Sequence, residues 1–418
     1  MIAARSLIGW IWPNDKPTPH EWSLILLLGT AFLISRYDFT LLALALPDIQ
    51  RDLGVAERDL GPFVAYARLG AVAALPFALM ADRIGRRRLL LATILGFTLC
   101  SAATAFVTNW PMFAALQFAA RAFTAADEMI SVVVIVEELA IRRRGWAVGM
   151  LAAFGGLGDG LAAAFYPLSN LLPGGWRALY MIAAIPLLLI MFLRRNLKET
   201  KRFDRAASVD AIGWRAIRMA LVAEPGRLAG LLFVSIVYHL PISATLSLMS
   251  KFLQETHDYS RGQVSILFIG AGAFALFGNL IGGTLTDRIG RRRGFAFFCF
   301  LMVGGFSLFY LAPTAIVPVA WAFALFAFLA SHAVFLVLAG EAFPTVSRAT
   351  VATLLLAVGA VATAAGLLLE GRLYGMFGSH SLAIVCLLPA FAIAGLAALL
   401  LLPETSGIEL QDEASRVP

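Results

Sequence analysis

Six residues between positions 114 and 131 concentrate polar chemistry inside an apolar stretch. Ala114, Gln117, Arg121, Thr124, Glu128 and Ser131 are spaced 3, 4, 3, 4 and 3 apart, which sets them on one face of a helix. Five are polar, and two of those are ionisable. Charge inside a membrane is costly, so such a stripe faces a cavity or a polar neighbour rather than lipid. Asp127 points about 100° away from it, toward another helix. Neighbouring apolar runs add Arg36, Asp38, Arg68 and Asp159. The chemistry open to such a set is reversible proton binding. Desolvation favours the protonated carboxyl and a nearby guanidinium favours the carboxylate, so changing their separation loads and releases a proton. Asp38 leads as the proton carrier, with Glu128, Asp159 and Asp127 as rivals. A structural ion pair that ties this helix to its neighbours is the competing reading. Arg36 lies two residues from Asp38, on nearly the opposite face, and reads as snorkelling or structural.

Candidate substrate contacts fall in both halves. Gln117, Arg121 and Thr124 share the stripe, and three arginines inside apolar runs suit a carboxylate substrate. In the second half Ser235, Tyr238, His239, Ser243 and Thr245 surround Pro241. A proline there frees backbone carbonyls, and broken helices often line transport sites. His332 is a further candidate, at the position matching Glu128. No metal is expected: Cys100, Cys299 and Cys386 are far apart in sequence and read as packing residues. Asp159 lies in Gly155–Gly160, mid-membrane and with no Lys-Ser/Thr following, so this is no phosphate loop. Its glycines read as a close helix approach. With no Ser-His-Asp, metal-ligand or nucleotide motif, neither an enzyme nor a cofactor is expected.

The elements that must position these residues are membrane helices. The chain has 418 residues, 60% hydrophobic and 14% charged, with mean hydropathy +0.83; a soluble domain is about a quarter charged. Twelve apolar runs reach the roughly 20 residues needed to span. They fall near 23–47, 61–81, 89–108, 111–136, 146–169, 176–193, 228–250, 263–286, 295–312, 314–339, 349–370 and 381–402. With the N-terminus cytoplasmic, 24 of the 33 Lys and Arg residues face inward and six outward. That is a positive-inside bias, and it leaves both termini cytoplasmic. The net charge of +7 then answers to an anionic inner leaflet and needs no nucleic acid. Met1–Glu21 lacks the apolar core of a cleavable signal, so the first span reads as an uncleaved insertion signal. A short surface helix around Trp214 is expected between the halves.

The chain repeats itself. Asp-Arg-Ile-Gly-Arg-Arg-Arg occurs as Asp82–Arg88 and again 205 residues later as Asp287–Arg293. Glu137 and Arg144 match Glu341 and Arg348 at an offset of 204, and Leu197–Thr200 matches Leu402–Thr405 at 205. Three anchors whose offsets agree to within one residue mark a duplication. Each basic heptad is too charged for lipid and marks a water-facing turn between two spans.

Ala78–Arg88, with its second copy Gly283–Arg291, resembles the loop motif of the major facilitator superfamily, and the resemblance covers essentially the whole chain. Glu341-Ala342-Phe343-Pro344, Arg348, Leu402–Gly407, Tyr37-Asp38 and Ala45–Ile49 are similar to the sugar porters and metabolite–proton symporters within it. The resemblance implies an all-α integral membrane fold of twelve transmembrane helices in two six-helix bundles related by a pseudo-twofold axis. Residues 1–193 form the first bundle, 194–227 a cytoplasmic linker, and 228–418 the second bundle with a short cytoplasmic tail. It implies that Asp82, Arg86, Glu137, Arg144, Asp287, Arg291, Glu341 and Arg348 form cytoplasmic ion-pair clusters that gate the inner side. It also implies that Asp38 couples to Arg121; Arg68 stays open as the rival partner. The expected function is proton-coupled symport of a small organic solute, a carboxylate or sugar-like metabolite, by alternating access. The alternative is a proton-driven efflux antiporter for drugs or metabolites, although Gly155–Gly160 lacks the Gly-Pro pair of many such antiporters. The expected partners are the small-molecule substrate, protons and the bilayer. A monomer in a bacterial inner membrane is expected.

Overall fold

The computed structural model describes residues 17–74, 76–77, 80, 84–194, 225–343 and 345–405. Every regular element among the described residues is helical. In the first half these are α1 (Pro19–Leu44), α2 (Leu46–Leu53), α3 (Leu60–Leu69), α4 (Arg86–Thr104), α5 (Trp110–Glu138), α6 (Ile141–Phe165) and α7 (Trp176–Arg194). In the second they are α8 (Pro225–His239), α9 (Ile242–Ser247), α10 (Met249–Thr256), α11 (Arg261–Ile289), α12 (Arg291–Leu311), α13 (Val317–Glu341), α14 (Thr345–Phe377), α15 (His380–Leu387) and α16 (Pro389–Leu401). Nine helical stretches among the described residues are long and apolar enough to cross a membrane. α5, which carries Arg121, Asp127 and Glu128, is not among them. The surface helix expected around Trp214 lies outside the described residues.

The chain divides into two compact units. One comprises Met1–Val55 and Tyr66–Ser208; the other comprises Ala56–Ala65 and Val209–Pro418. The short segment Ala56–Ala65, with the first half of α3, therefore belongs with the second half of the sequence. Arg194, expected in the linker, instead ends α7 and is wholly buried.

Helix ends are fixed locally. Thr18 and Glu21 cap α1 reciprocally, and Ser260 and Gln263 do the same for α11. Asn109 accepts from the Met112 amide at the start of α5. Helix crossings are made close by glycine. In the first unit a Cβ on Gly158 of α6 would strike the Leu33 carbonyl of α1, and in the second a Cβ on Gly366 of α14 would strike the Leu240 carbonyl. Within the run Gly155–Gly160, Gly158 and Gly155 thus provide the close approach to α1, whereas Gly156 and Gly160 face open space. The second unit packs around aromatic rings: Tyr238 stacks on Phe335 at 5.4 Å and touches Phe295 and Phe391.

Both copies of the basic heptad turn at the same glycine. Gly85 has φ 102° and ψ 145°, and Gly290 has φ 99° and ψ 149°, a region essentially closed to residues with a Cβ. Gly290 joins α11 to α12, and a Cβ there would also stand 2.6 Å from Glu404 Oε2. Gly290→Ala is expected to destabilise the fold by about 1–3 kcal/mol. Gly283→Ala, in open space within α11, is expected to be neutral or slightly stabilising. Thermal unfolding of the two purified variants side by side checks this; equal melting temperatures would contradict it.

Candidate functional site

The stripe on α5 meets α1 and α4 in the first unit. Its residues differ in depth: Gln117, Thr124 and Ser131 are buried, whereas the side chains of Arg121 and Glu128 keep 22% and 23% of their exposure. The last two form an ion pair at 3.6 Å, and Glu128 also accepts a 2.6 Å hydrogen bond from Ser35 of α1. Gln117 donates to Thr104 of α4 at 3.3 Å. On α1, Arg36 pairs with Asp159 of α6 at 2.8 Å, and Thr40 donates to the other oxygen of that carboxylate at 2.5 Å. Arg36 and Asp159 are therefore a helix–helix tie.

Asp38 is buried and accepts a 3.0 Å hydrogen bond from Ser101 of α4. Neither arginine proposed as its partner forms an ion pair with it among the contacts described, yet both line the same cavity. That cavity, of about 20 Å³, is lined by Ser35, Asp38, Phe39, Leu42, Ala67, Arg68, Gln117, Arg121 and Thr124. Its volume is that of roughly one water, so within this unit it is an ion cluster and not a complete chamber for an organic solute.

Phe39 is the hub of the cluster. Three guanidiniums converge on its ring, those of Arg68, Arg36 and Arg121, at 3.5, 4.9 and 5.2 Å from the centroid. The negative face of an aromatic ring attracts cations, and most strongly where water is excluded. It lets three like charges from three helices share one region. Phe39 escapes a search for ionisable residues; its only signal in the sequence is that it directly follows Asp38.

Asp127 stands apart from this cluster. Both its oxygens meet the guanidinium of Arg194, the second contact at 3.0 Å, and Thr93 donates to it at 3.0 Å. The pair joins α5, α4 and α7 and is fully enclosed by protein. The off-stripe direction of Asp127 anticipated another helix but not which one.

The second-unit candidates are placed differently. Tyr238 is fully buried and shares a 2.8 Å hydrogen bond with Ser331. His239 Nδ1 contacts the Ser235 carbonyl at 2.8 Å, and the ring lies 6.5 Å from that of His332, which stacks on Phe328. Ser243 is buried near the break at Pro241. The carbonyls at this break are used locally: Thr245 Oγ1 donates to that of Pro241 at 2.7 Å, and Tyr310 donates to that of Thr245 at 2.5 Å.

The heptad ends of the two units carry matching ion pairs. Arg86 meets Glu137 at 3.2 Å, and its repeat partner Arg291 meets Glu341 at 3.4 Å and Asp287 at 2.6 Å. Thr405 donates to Glu341 at 2.6 Å, and Glu404 accepts from the Arg291 amide at 2.7 Å. Glu137 takes Arg86, and Glu138 lies 3.6 Å from His20. Arg144 donates to the Leu139 carbonyl at 3.0 Å. Asp82 lies outside the described residues, as does the side chain of Arg348.

Similarity to known proteins agrees with this layout. The family model of the Major Facilitator Superfamily matches residues 28–242 and 231–417. The gallate transporter of Pseudomonas putida is 27% identical over 52% of this chain and 48% of its own length. The 4-hydroxybenzoate transporter of Pseudomonas aeruginosa is 28% identical over 46% of this chain and 43% of its own. The chain thus spans about half the length of these two relatives. A probable 4-methylmuconolactone transporter of Cupriavidus pinatubonensis is 26% identical over 92% of this chain and 90% of its own. Among solved structures, a D-xylose–proton symporter shares the fold with a TM-score of 0.74 at 19% identity, covering 93% of this chain and 99% of that one. With both halves matched by one family model and the repeated heptads turning alike, the chain belongs to the Major Facilitator Superfamily of transporters.

Proposed function

We propose that the protein is a proton-coupled symporter that carries a small aromatic carboxylate into the cell by alternating access. The observation that carries this reading is the convergence of Arg36, Arg68 and Arg121 on Phe39, beside the buried carboxyl of Asp38. An arginine fork matches a carboxylate, and an aromatic wall accepts a flat ring. Gallate and 4-hydroxybenzoate, carried by the relatives of those names, are aromatic carboxylates. Proton coupling follows from the site by charge. An anion that engages Arg68 or Arg121 withdraws positive field from Asp38, and Asp38 then takes a proton more readily. By linkage, the bound proton strengthens anion binding to the same extent. Proton and substrate therefore load together, which is symport. Coupling in the D-xylose–proton symporter supports the choice of ion by analogy.

Nine candidate spans, the internal repeat and the family fold support twelve spans in two six-helix halves. The Lys and Arg bias supports placing the basic turns and both termini on the cytoplasmic side. The paired contacts Arg86–Glu137 and Arg291–Glu341 then fall at the inner ends of the helices. Such pairs, made and broken as the transporter changes state, can bias a two-state equilibrium.

Uptake of radiolabelled benzoate, 4-hydroxybenzoate and gallate into proteoliposomes, under an imposed pH or sodium gradient, tests the reading. Accumulation driven by inward-acid pH is expected; accumulation driven only by sodium, or none for any aromatic acid, would overturn it. Arg68→Ala and Arg121→Ala are each expected to weaken binding about 10- to 100-fold, the value of a charge-assisted hydrogen bond of about 1.5–3 kcal/mol. Asp38→Asn is expected to abolish accumulation driven by the pH gradient while retaining substrate exchange at equal pH. Asp127→Asn strips the partner from a buried arginine; the loss is expected in stability, by about 3–5 kcal/mol, read as a lower melting temperature.

A further inference from the structure

The second unit holds a separate ionisable cluster. Glu57, in the segment Ala56–Ala65, places one carboxylate oxygen 3.0 Å from Lys251 Nζ of α10 and the other 2.9 Å from His380 Nε2 of α15. The other ring nitrogen of His380, Nδ1, lies 2.6 Å from Glu370 Oε1 of α14. The imidazole is thus clamped between two carboxylates. They differ in depth: the Glu57 side chain is 42% exposed, whereas Glu370 is fully buried. Glu370 Oε2 has no hydrogen-bond partner among the described residues. A cavity of about 290 Å³ is lined by Glu57, Lys251, Glu255, Tyr374 and His380 among others.

Counting protons limits the state of this triad to two hydrogens, one in each contact. Each short N···O contact needs a hydrogen between the two atoms. A neutral imidazole carries one N–H and an ionised carboxylate none, so only the imidazolium satisfies both contacts with both glutamates ionised. The other groups around His380 leave this count intact. Tyr374 stacks on the ring at 4.2 Å, Lys251 is held by Glu57 and Glu255, and Tyr310 donates elsewhere, to the Thr245 carbonyl.

We propose that Glu57, His380 and Glu370 form a proton-binding site in which His380, as an imidazolium donating to both glutamates, holds the segment Ala56–Ala65 to the second unit. When that proton leaves, one ring nitrogen presents a lone pair to a carboxylate. Glu370 is sealed inside the protein and keeps its contact, so the half-exposed Glu57 gives way and retains Lys251. Packing supports a joint that either seats fully or parts: a Cβ on Gly61 would strike the Leu367 carbonyl and stand 3.0 Å from Glu370 Oε2. The residues that line its cavity are distinct from those around Asp38.

Side-chain nitrogen NMR of the full chain in nanodiscs, labelled at its five histidines, tests the proposal between pH 5 and 9, with His380→Gln assigning the signal. The expected spectrum near pH 6 shows both His380 nitrogens protonated. Glu57→Gln, which leaves the interior untouched, is expected to lower the pH at which that proton is lost by about one unit or more, moving one histidine and no other. Glu370→Gln is expected to remove the imidazolium signal at neutral pH. A neutral His380 at pH 6, or a titration unmoved by Glu57→Gln, would overturn the proposal. If His380→Gln does not fold, the one histidine that responds to Glu57→Gln supplies the assignment.

Discussion

Burying charge in an apolar slab is expensive, and most of what is distinctive in this chain answers that cost. A charged group inside the membrane persists when a partner of opposite sign and further hydrogen bonds replace water. Arg36 has Asp159, Arg121 has Glu128, and Arg194 has Asp127. Each pair joins different helices or successive turns of one, and each carboxylate is additionally held by a hydroxyl of Thr40, Ser35 or Thr93. Helix placement in the first unit follows from these ties together with the close glycine crossing at Gly158.

Against that background Asp38 stands out by what it lacks. Its described hydrogen bond comes from Ser101, while the nearby guanidiniums of Arg68 and Arg121 are drawn to the ring of Phe39. A carboxyl surrounded by positive charge but not locked to it can respond to an arriving anion; one in a tight bidentate pair, like Asp127, cannot. Of two buried aspartates in the first unit, Asp127 ties helices together through Arg194, while Asp38 is held by the hydroxyl of Ser101.

The duplication preserved architecture and let chemistry diverge. Both units keep the glycine turn of the heptad and the arginine–glutamate pair beside it, since any copy must reverse its chain there and hold its helix ends. The interiors differ. The first unit fills its centre with ion pairs; the second fills the corresponding region with Tyr238, Phe295, Phe335 and Phe391, and its buried titratable cluster around His380 lies elsewhere. The repeat therefore carries backbone geometry from one half to the other but not the interior side chains.

Much of the fold was legible in the residues alone. Apolar runs, the two heptads and the polar stripe from Gln117 to Ser131 are local patterns, and hydrophobic length and helical period are properties of neighbours in sequence. The glycine run was readable for the same reason, because small residues at helical spacing have few other uses inside a membrane. Partner choice was not readable. Asp127 and Arg194 are 67 positions apart, and Glu57 and His380 are 323 apart; nothing local links them. Phe39 gained its role from arginines on three helices, and Asp38 takes its described hydrogen bond from Ser101 on a fourth. A helix's face can be read from its own sequence, but what meets that face depends on how all the helices pack, and in a medium without water that meeting settles which charges are fixed and which remain free to exchange a proton.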